Sequence, residues 1–200
     1  TSDFVRDLFG DYIGGLLPTL ELIGVSPEAI TDVIFSHSHG DHLFGTSSDG
    51  QLSFPNAQHY LPLLEWKDLH REDIPEFALP FIEFARDQLQ PLVDNGGQLA
   101  FYSDGDEIVP GIQAIATPGH SAGHHALIIE SGSQQLLLPF DVLAHPILHL
   151  RHPEWYMKVD QIPDVAVATR QKLLARAADE RIPVLVHHFP FPGVGNIVRA

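Results

Sequence analysis

The apolar positions of this chain come in short packets, and the packets change character near residue 95. Residues 1–31 read as helix and turn, with Leu16-Leu17-Pro18 breaking them and Ser26-Pro27-Glu28 starting a short helix. Ser26 suits an N-cap, and Pro27 suits the first helical position, where a missing N–H is no loss. A buried strand is predicted over 33–36, and 51–60 read as a strand hairpin around Pro55-Asn56. Positions 61–92 are helical, interrupted near Pro75 and Pro80, and rich in Phe and Leu. After Asn95-Gly96-Gly97, the segments 99–102, 107–109, 112–117, 126–130 and 135–139 are short, β-branched or apolar. Gly, Asp and Ser turns divide them, Asp104 and Asp106 around Gly105 forming one. Pro163 opens a helix over 163–181 whose apolar face is Ala166, Leu173, Leu174 and Ala177. Pro183-Val184-Leu185-Val186 is the last strand and ends at His187-His188. Strands in two groups, each with helices and no convincing linker, predict a layered α/β arrangement in one domain over 1–200.

Composition narrows the partners. Two hundred residues allow one sizeable core, and 11 Lys plus Arg against 26 Asp plus Glu leave a formal charge of -15. Such a surface repels phosphate backbones and anionic membranes, which argues against nucleic acid; a small-molecule substrate is the expected partner. There are no cysteines, so disulfides and thiolate sites are excluded and any metal must be held by N and O atoms. No apolar run approaches the ~20 residues that span a bilayer. The chain opens on Thr1, which leaves the compartment open: cytoplasmic, or exported after removal of a signal peptide.

The densest chemistry is His37-Ser38-His39-Gly40-Asp41-His42, four ligand-type side chains in six residues just past a strand. Imidazoles that close repel one another when protonated, so their crowding points to a bound ion, and imidazole with carboxylate suits zinc and its neighbours. Three further strands deliver ligand-type residues. Thr117-Pro118-Gly119-His120 continues to Gly123-His124-His125, with Pro and Gly shaping a loop whose backbone can approach a ligand closely. An apolar run, Leu136-Leu137-Leu138-Pro139-Phe140, delivers Asp141, and the last strand delivers His187 and His188. Neighbours on extended chain point to opposite sides, so only one of that pair faces the site, and the following Phe189-Pro190-Phe191-Pro192-Gly193 favours His188.

Taken in order, H-x-H-x-D-H, a Gly-His loop, a strand-end Asp and a late His resemble the metallo-β-lactamase fold superfamily over residues 27–195. Thr117-Pro118-Gly119-His120, Gly123-His124 and His188-Phe189-Pro190-Phe191-Pro192-Gly193 look most like its methyl parathion hydrolase and quorum-quenching lactonase branch; His152-Pro153-Glu154-Trp155 and Ala168-Thr169-Arg170 add to the likeness. The resemblance implies a four-layer αββα sandwich and two divalent metal ions, Zn²⁺ first, with Mn, Co or Fe as alternatives. It implies that His37, His39 and His120 hold one metal, that Asp41, His42 and His188 hold the other, and that Asp141 bridges them. His124 would support a ligand by a hydrogen bond from behind. Three features depart from the pattern: Phe140 stands where Gly is usual, Asn196 stands where the final loop usually has His, and the first strand hairpin is missing, so the first β layer looks truncated at the N-terminus.

The reaction so implied is hydrolysis of an ester, lactone or phosphotriester, with Asp41 or Asp141 orienting the nucleophilic water and shuttling its proton. The branch's lactonases commonly carry a Tyr soon after the bridging Asp, and Val142-Leu143-Ala144-His145 has none. A non-hydrolytic di-iron oxidoreductase or dioxygenase, and a metal-binding protein without turnover, are the rival expectations. Among the remaining residues, His145 reads as surface or cap ahead of pocket mouth, and His149 and His152 read equally as pocket border or solvated. His59 and His70 read as helix-end residues, and His125 as structural. Trp66, Phe77, Phe81 and Phe84 read first as core packing, with pocket lining or a homodimer contact second.

Overall fold

The computed structural model describes residues 15–199, which pack as two compact units. The first runs to Leu61 and resumes over Leu69–Phe101; the second takes Pro62–Asp68 and the chain from Tyr102 onward.

In the first unit, Leu16-Leu17-Pro18 opens the helix Leu16–Leu22 and does not break it. Proline in a first turn lacks only an N–H that has no carbonyl to meet. The 3-10 turn Pro27–Ala29 follows Ser26 as expected, though the Ser26 hydroxyl donates to the Glu28 carboxylate at 2.7 Å and caps no backbone N–H. Strand β1 (Asp32–Ile34) leads into the histidine loop. A hairpin of β2 (Ser47–Ser48) and β3 (Gln51–Leu52) follows, and then β4 (Gln58–Pro62). β4 lies parallel to β1, with Val33 opposite His59, and β5 (Leu99–Tyr102) completes the sheet β1-β4-β5. The hairpin expected over 51–60 is therefore absent. The chain reverses at Asp49-Gly50, both with positive φ (52° and 74°), the backbone that a two-residue hairpin turn demands.

The helical region is the short helix Leu63–Leu69, a 3-10 turn Glu76–Ala78, and the helix Leu79–Asp94. Pro80 stands in the first turn of that last helix and starts it. Its buried stripe is Ala85, Leu89 and Leu92, and Phe84 packs edge-on to Phe44 with ring centres 5.1 Å apart. The core reading fails for Phe77 and Phe81, which are 80% and 52% exposed. They precede the stripe, which begins one turn further into the helix.

The second unit is built on a six-stranded sheet. Strands β6 (Glu107–Val109), β7 (Ile112–Ala116), β8 (His125–Ser131) and β9 (Gln134–Leu138) form an antiparallel meander close to the predicted bounds. The chain then crosses over through the helix Pro163–Asp179, and β10 (Pro183–Leu185) lies parallel to β9. β10 is not the last strand: β11 (Val194–Asn196) returns antiparallel to it. Val194-Gly195-Asn196 holds a single β-former, so nothing local announced it. Ala126, Ile128, Leu137 and Val184 from the strands and Leu173 and Ala177 from the crossover helix make the core. The buried face of that helix is Ala166, Arg170, Leu173 and Ala177; Leu174 is only half-buried. Antiparallel pairing on both sides of β8 makes β7 and β9 run the same way, and β10 follows β9. Three strands therefore release their C-terminal ends along one edge, where ligand-bearing loops gather in α/β sheets.

Three histidines are built into the cores as neutral rings. His59 lies on β4, not at a helix end; its Nδ1 donates to the Ala57 carbonyl at 3.1 Å and its ring stacks on Phe35. His125 donates from Nδ1 to the Gly123 carbonyl at 2.8 Å and meets the Tyr102 ring edge-on. His149 accepts the Ala144 N–H at 3.0 Å and is buried, so neither a pocket-border nor a solvated position fits it. Burial pushes all three below their ordinary value, and for His149, where the Arg170 charge adds to burial, down to about 4. The unfolded chain takes these protons near pH ~6.5, while the folded chain refuses them until lower pH. The stability they contribute is thus whole above pH ~6.5 and lost as pH falls through the folded value. For His149 the loss amounts to about 3 kcal/mol. Urea midpoints measured from pH 7 to 4.5, with chelator present throughout, should fall less steeply for His149→Asn, whose amide still accepts from Ala144. Parallel curves for the two proteins would refute the assignment.

Candidate functional site

The first unit supplies the histidine loop. After β1, Phe35 N–H still bonds the Tyr60 carbonyl at 2.9 Å, and the chain then leaves the sheet. His37 is fully buried, with Nδ1 2.9 Å from the Ser36 hydroxyl. His39 is the N-cap of the single helical turn Gly40–Leu43, so Asp41 falls inside the turn and is not its cap. That turn folds the hexapeptide back on itself. The His37 ring lies 4.6 Å from that of His39 and 4.1 Å from that of His42, and Asp41 Oδ2 is 3.5 Å from His42 Nε2. One ring nitrogen of His37 and one of His39 come within 4.8 Å of each other. Thus one turn of helix converts the spacing H-x-H-x-D-H into a cluster.

The second unit gathers its ligand-type residues at the edge where β7, β9 and β10 end. His120 is buried in the loop between β7 and β8. Gly119, at φ 127°, lies so close to the crossover helix that a Cβ would sit 2.2 Å from Ala166 N. The loop glycine therefore answers to the packing of that helix. Gly123 likewise leaves room for Glu65: its N–H and the Ser121 hydroxyl both donate to Glu65 Oε1, at 2.8 and 2.5 Å. Asp141 follows β9 in a short 3-10 turn, Phe140–Val142, and is 5% exposed. His120 Nε2 lies 3.3 Å from its Oδ2, and His187 Nε2 and His188 Nε2 lie 3.4 and 3.3 Å from its Oδ1.

The expectation that only one of the last two histidines faces this carboxylate is corrected. β10 ends at Leu185, and His187-His188 lie in a turn, so alternation no longer separates them; their rings stand 4.1 Å apart. Phe140, which stands where Gly is usual, takes a backbone that favours Gly. Its φ is 47°, the left-handed region where Gly is at ease and other residues carry roughly 1–2 kcal/mol of strain. Its ring lies 5.7 Å from that of His187. His124 is fully buried between Thr117 Oγ1, 2.8 Å from Nδ1, and the Asp141 N–H, 3.3 Å from Nε2. Its support thus goes to the backbone of Asp141. His145 is exposed and its Nδ1 accepts from Ile147 and Leu148 N–H, a capping role, while His152 stacks on Trp155.

Sequence reasoning missed Asp160. Its Oδ1 lies 2.9 Å from His120 Nδ1 and its Oδ2 accepts the Met157 N–H at 2.7 Å. Burial would raise this carboxyl, but the hydrogen bonds from His120 and Met157 and the charge of Arg170 hold it below the ordinary carboxylate value. Arg170 entered the sequence reading only within Ala168-Thr169-Arg170; the signal for its structural part was a charge on an otherwise apolar helical stripe.

Comparison with solved structures identifies the fold. A hydrolase of the beta lactamase superfamily, AbOPH, superposes with a TM-score of 0.90 over 98% of this chain and 69% of its own, at 27% identity. The fold is that of the metallo-β-lactamase superfamily. AidC, a dizinc quorum-quenching lactonase solved with the product N-hexnoyl-L-homoserine, shares this metallo-β-lactamase fold with a TM-score of 0.87 and 27% identity, covering 96% of this chain and 69% of AidC. Among curated proteins, the N-acyl homoserine lactonase AiiA of Bacillus thuringiensis subsp. kurstaki is 32% identical over 126 residues, 61% of this chain and 42% of AiiA. The N-acyl homoserine lactonase of Bacillus cereus is 29% identical over 126 residues. The chain spans less than half the length of the curated lactonases it matches. No family profile matches it.

Proposed function

We propose that this chain is a metal-dependent hydrolase with a two-metal centre, acting on a lactone in preference to an aryl ester or a phosphotriester. The observation that carries the reading is Asp141, a buried carboxylate with three imidazole nitrogens 3.3–3.4 Å from its oxygens. A direct charge-assisted hydrogen bond would be shorter, about 2.7–2.9 Å. Two ligand atoms each ~2.1 Å from one tetrahedral ion stand about 3.4 Å apart, so this set fits a shared ion better than it fits hydrogen bonding. Every donor is imidazole or carboxylate, which suits Zn²⁺.

His37, His39 and His120 would hold one ion, Asp41, His42 and His188 the other, with Asp141 shared; His187 is added as a further ligand or a lining residue. When bound, such ions supply Lewis acidity toward the substrate oxygen and lower the pKa of water. The chain's own residues do the rest. Asp41, a third exposed on its helical turn, accepts the proton of the attacking water and returns it to the leaving alkoxide. Asp141, its N–H held by His124, keeps the donors in register. Lactones are favoured because AidC is a lactonase bound to an acyl homoserine product and the curated relatives are N-acyl homoserine lactonases.

The test is metal quantification with a panel of acyl lactones, aryl esters and organophosphates at matched metal loading. Two equivalents of divalent metal and lactone turnover that chelation abolishes and added metal restores are expected. Two irons with no hydrolysis anywhere on the panel would sink the reading and favour the di-iron oxidoreductase.

A further inference from the structure

Asp160 belongs to no strand end and to none of the ligand loops, yet its carboxylate lies fully buried against His120. Its segment is strapped to the His120 loop by backbone: Gln161 N–H donates to the His120 carbonyl at 3.0 Å and Ile162 N–H to the Gly119 carbonyl at 2.9 Å. The Gln161 side chain accepts the Ala122 N–H at 3.0 Å, closing the strap on its other side. Within it, the Met157 N–H fixes one carboxylate oxygen, so the other has little freedom but to face His120 Nδ1. Arg170 backs the arrangement. One guanidinium nitrogen is 3.7 Å from Asp160 Oδ2, Nε donates to the carbonyl of Val142 at 2.8 Å, and the remaining nitrogen donates to the carbonyls of Pro153 and Trp155. Val142 is the residue after Asp141. One buried cation thus ties the loop that orients His120 to the turn that carries Asp141.

We propose that Asp160, braced by Arg170, is a positioning residue that keeps the proton of His120 on Nδ1 and so presents the Nε2 lone pair to a metal. The inference rests on the two-metal reading above. An imidazole with its far N–H on a carboxylate is locked in tautomer and ring orientation and is a stronger ligand; losing such a partner typically weakens metal binding 10–100-fold. A carboxylate that merely stapled two loops would contribute to stability alone, without reaching the affinity of the folded protein for metal.

Asp160→Ala and Asp160→Asn in the full chain separate the two roles. Zn²⁺ is titrated into the metal-free proteins against a chromophoric chelator, and the visible spectrum of the Co²⁺-loaded forms is recorded. One of the two equivalents should weaken 10–100-fold in both variants, with a changed Co²⁺ band, while the other stays within about threefold of wild type. Wild-type affinity for both equivalents overturns the proposal, however far the melting temperature falls. If the Ala variant does not fold, the Asn variant, equal in volume, carries the same comparison. A wild-type chain that takes up no metal overturns this proposal together with the two-metal reading; a wild-type chain that binds two ions, with variants that bind them equally well, overturns this one alone.

Discussion

Asp141→Asn should reduce hydrolysis by about a thousandfold or more, equivalent to ~4 kcal/mol of transition-state stabilisation. The substitution keeps shape and volume at a buried position, so packing is not what it probes. It removes the negative charge that an ion shared between ligand sets requires, and it places an amide nitrogen, a donor, where both carboxylate oxygens must accept. Bound metal should fall from two equivalents to one or fewer, measured by elemental analysis after gel filtration. The metal-free variant should melt close to wild type, because burying a carboxylate without its ion is itself unfavourable. Unchanged turnover at full metal loading would place the chemistry elsewhere in the chain.

Arg170→Met should destabilise the metal-free protein by about 3–5 kcal/mol, a fall of roughly 10 °C in melting temperature for a chain of this size. Arg170 is 1% exposed, and methionine nearly fills its volume, so the loss is electrostatic and not a cavity effect. Three carbonyls, those of Val142, Pro153 and Trp155, lose their donor, and the buried Asp160 carboxylate loses its nearby cation. Pairing the change with Asp160→Asn should recover part of the loss, since removing both charges costs less than stranding one. Strictly additive thermal and urea data for the two substitutions would show that the charges do not act on each other.

The histidine loop and the carboxylate after β9 were legible in the chain because their chemistry is local. H-x-H-x-D-H packs four ligand-type side chains into six residues, and an apolar run ending in Asp announces a strand that delivers a carboxylate. Turn chemistry was legible where its residues were unambiguous, as at Asp104-Gly105-Asp106, whose carboxylates accept the Ala116 and Ser103 N–H groups. It misled at residues 51–60, where Pro55-Asn56 drew attention away from the stronger Asp49-Gly50 reversal. His187 was misassigned because the alternation rule holds only on extended chain, and the strand had already ended.

By itself the sequence determined the donor types, the exclusion of thiolate chemistry, the order in which four segments deliver ligand-type residues, and strands β6 to β10 and the long helix of the second unit, though not their pairing. These depend on composition and on periodicities of two and 3.6 residues, which short windows carry. Only the tertiary structure decided that His187 and His188 both reach Asp141, that Gly119 serves the packing of a helix, and that Asp160 and Arg170 stand behind the ligands. Asp160 lies 40 residues from His120, and Arg170 lies 28 from Val142. A buried charge far along the chain finds its partner through the packing of the sheet edge, and no spacing along the chain records that meeting. The histidine cluster is written in six residues, whereas what holds His120 and Asp141 in place is written in the fold.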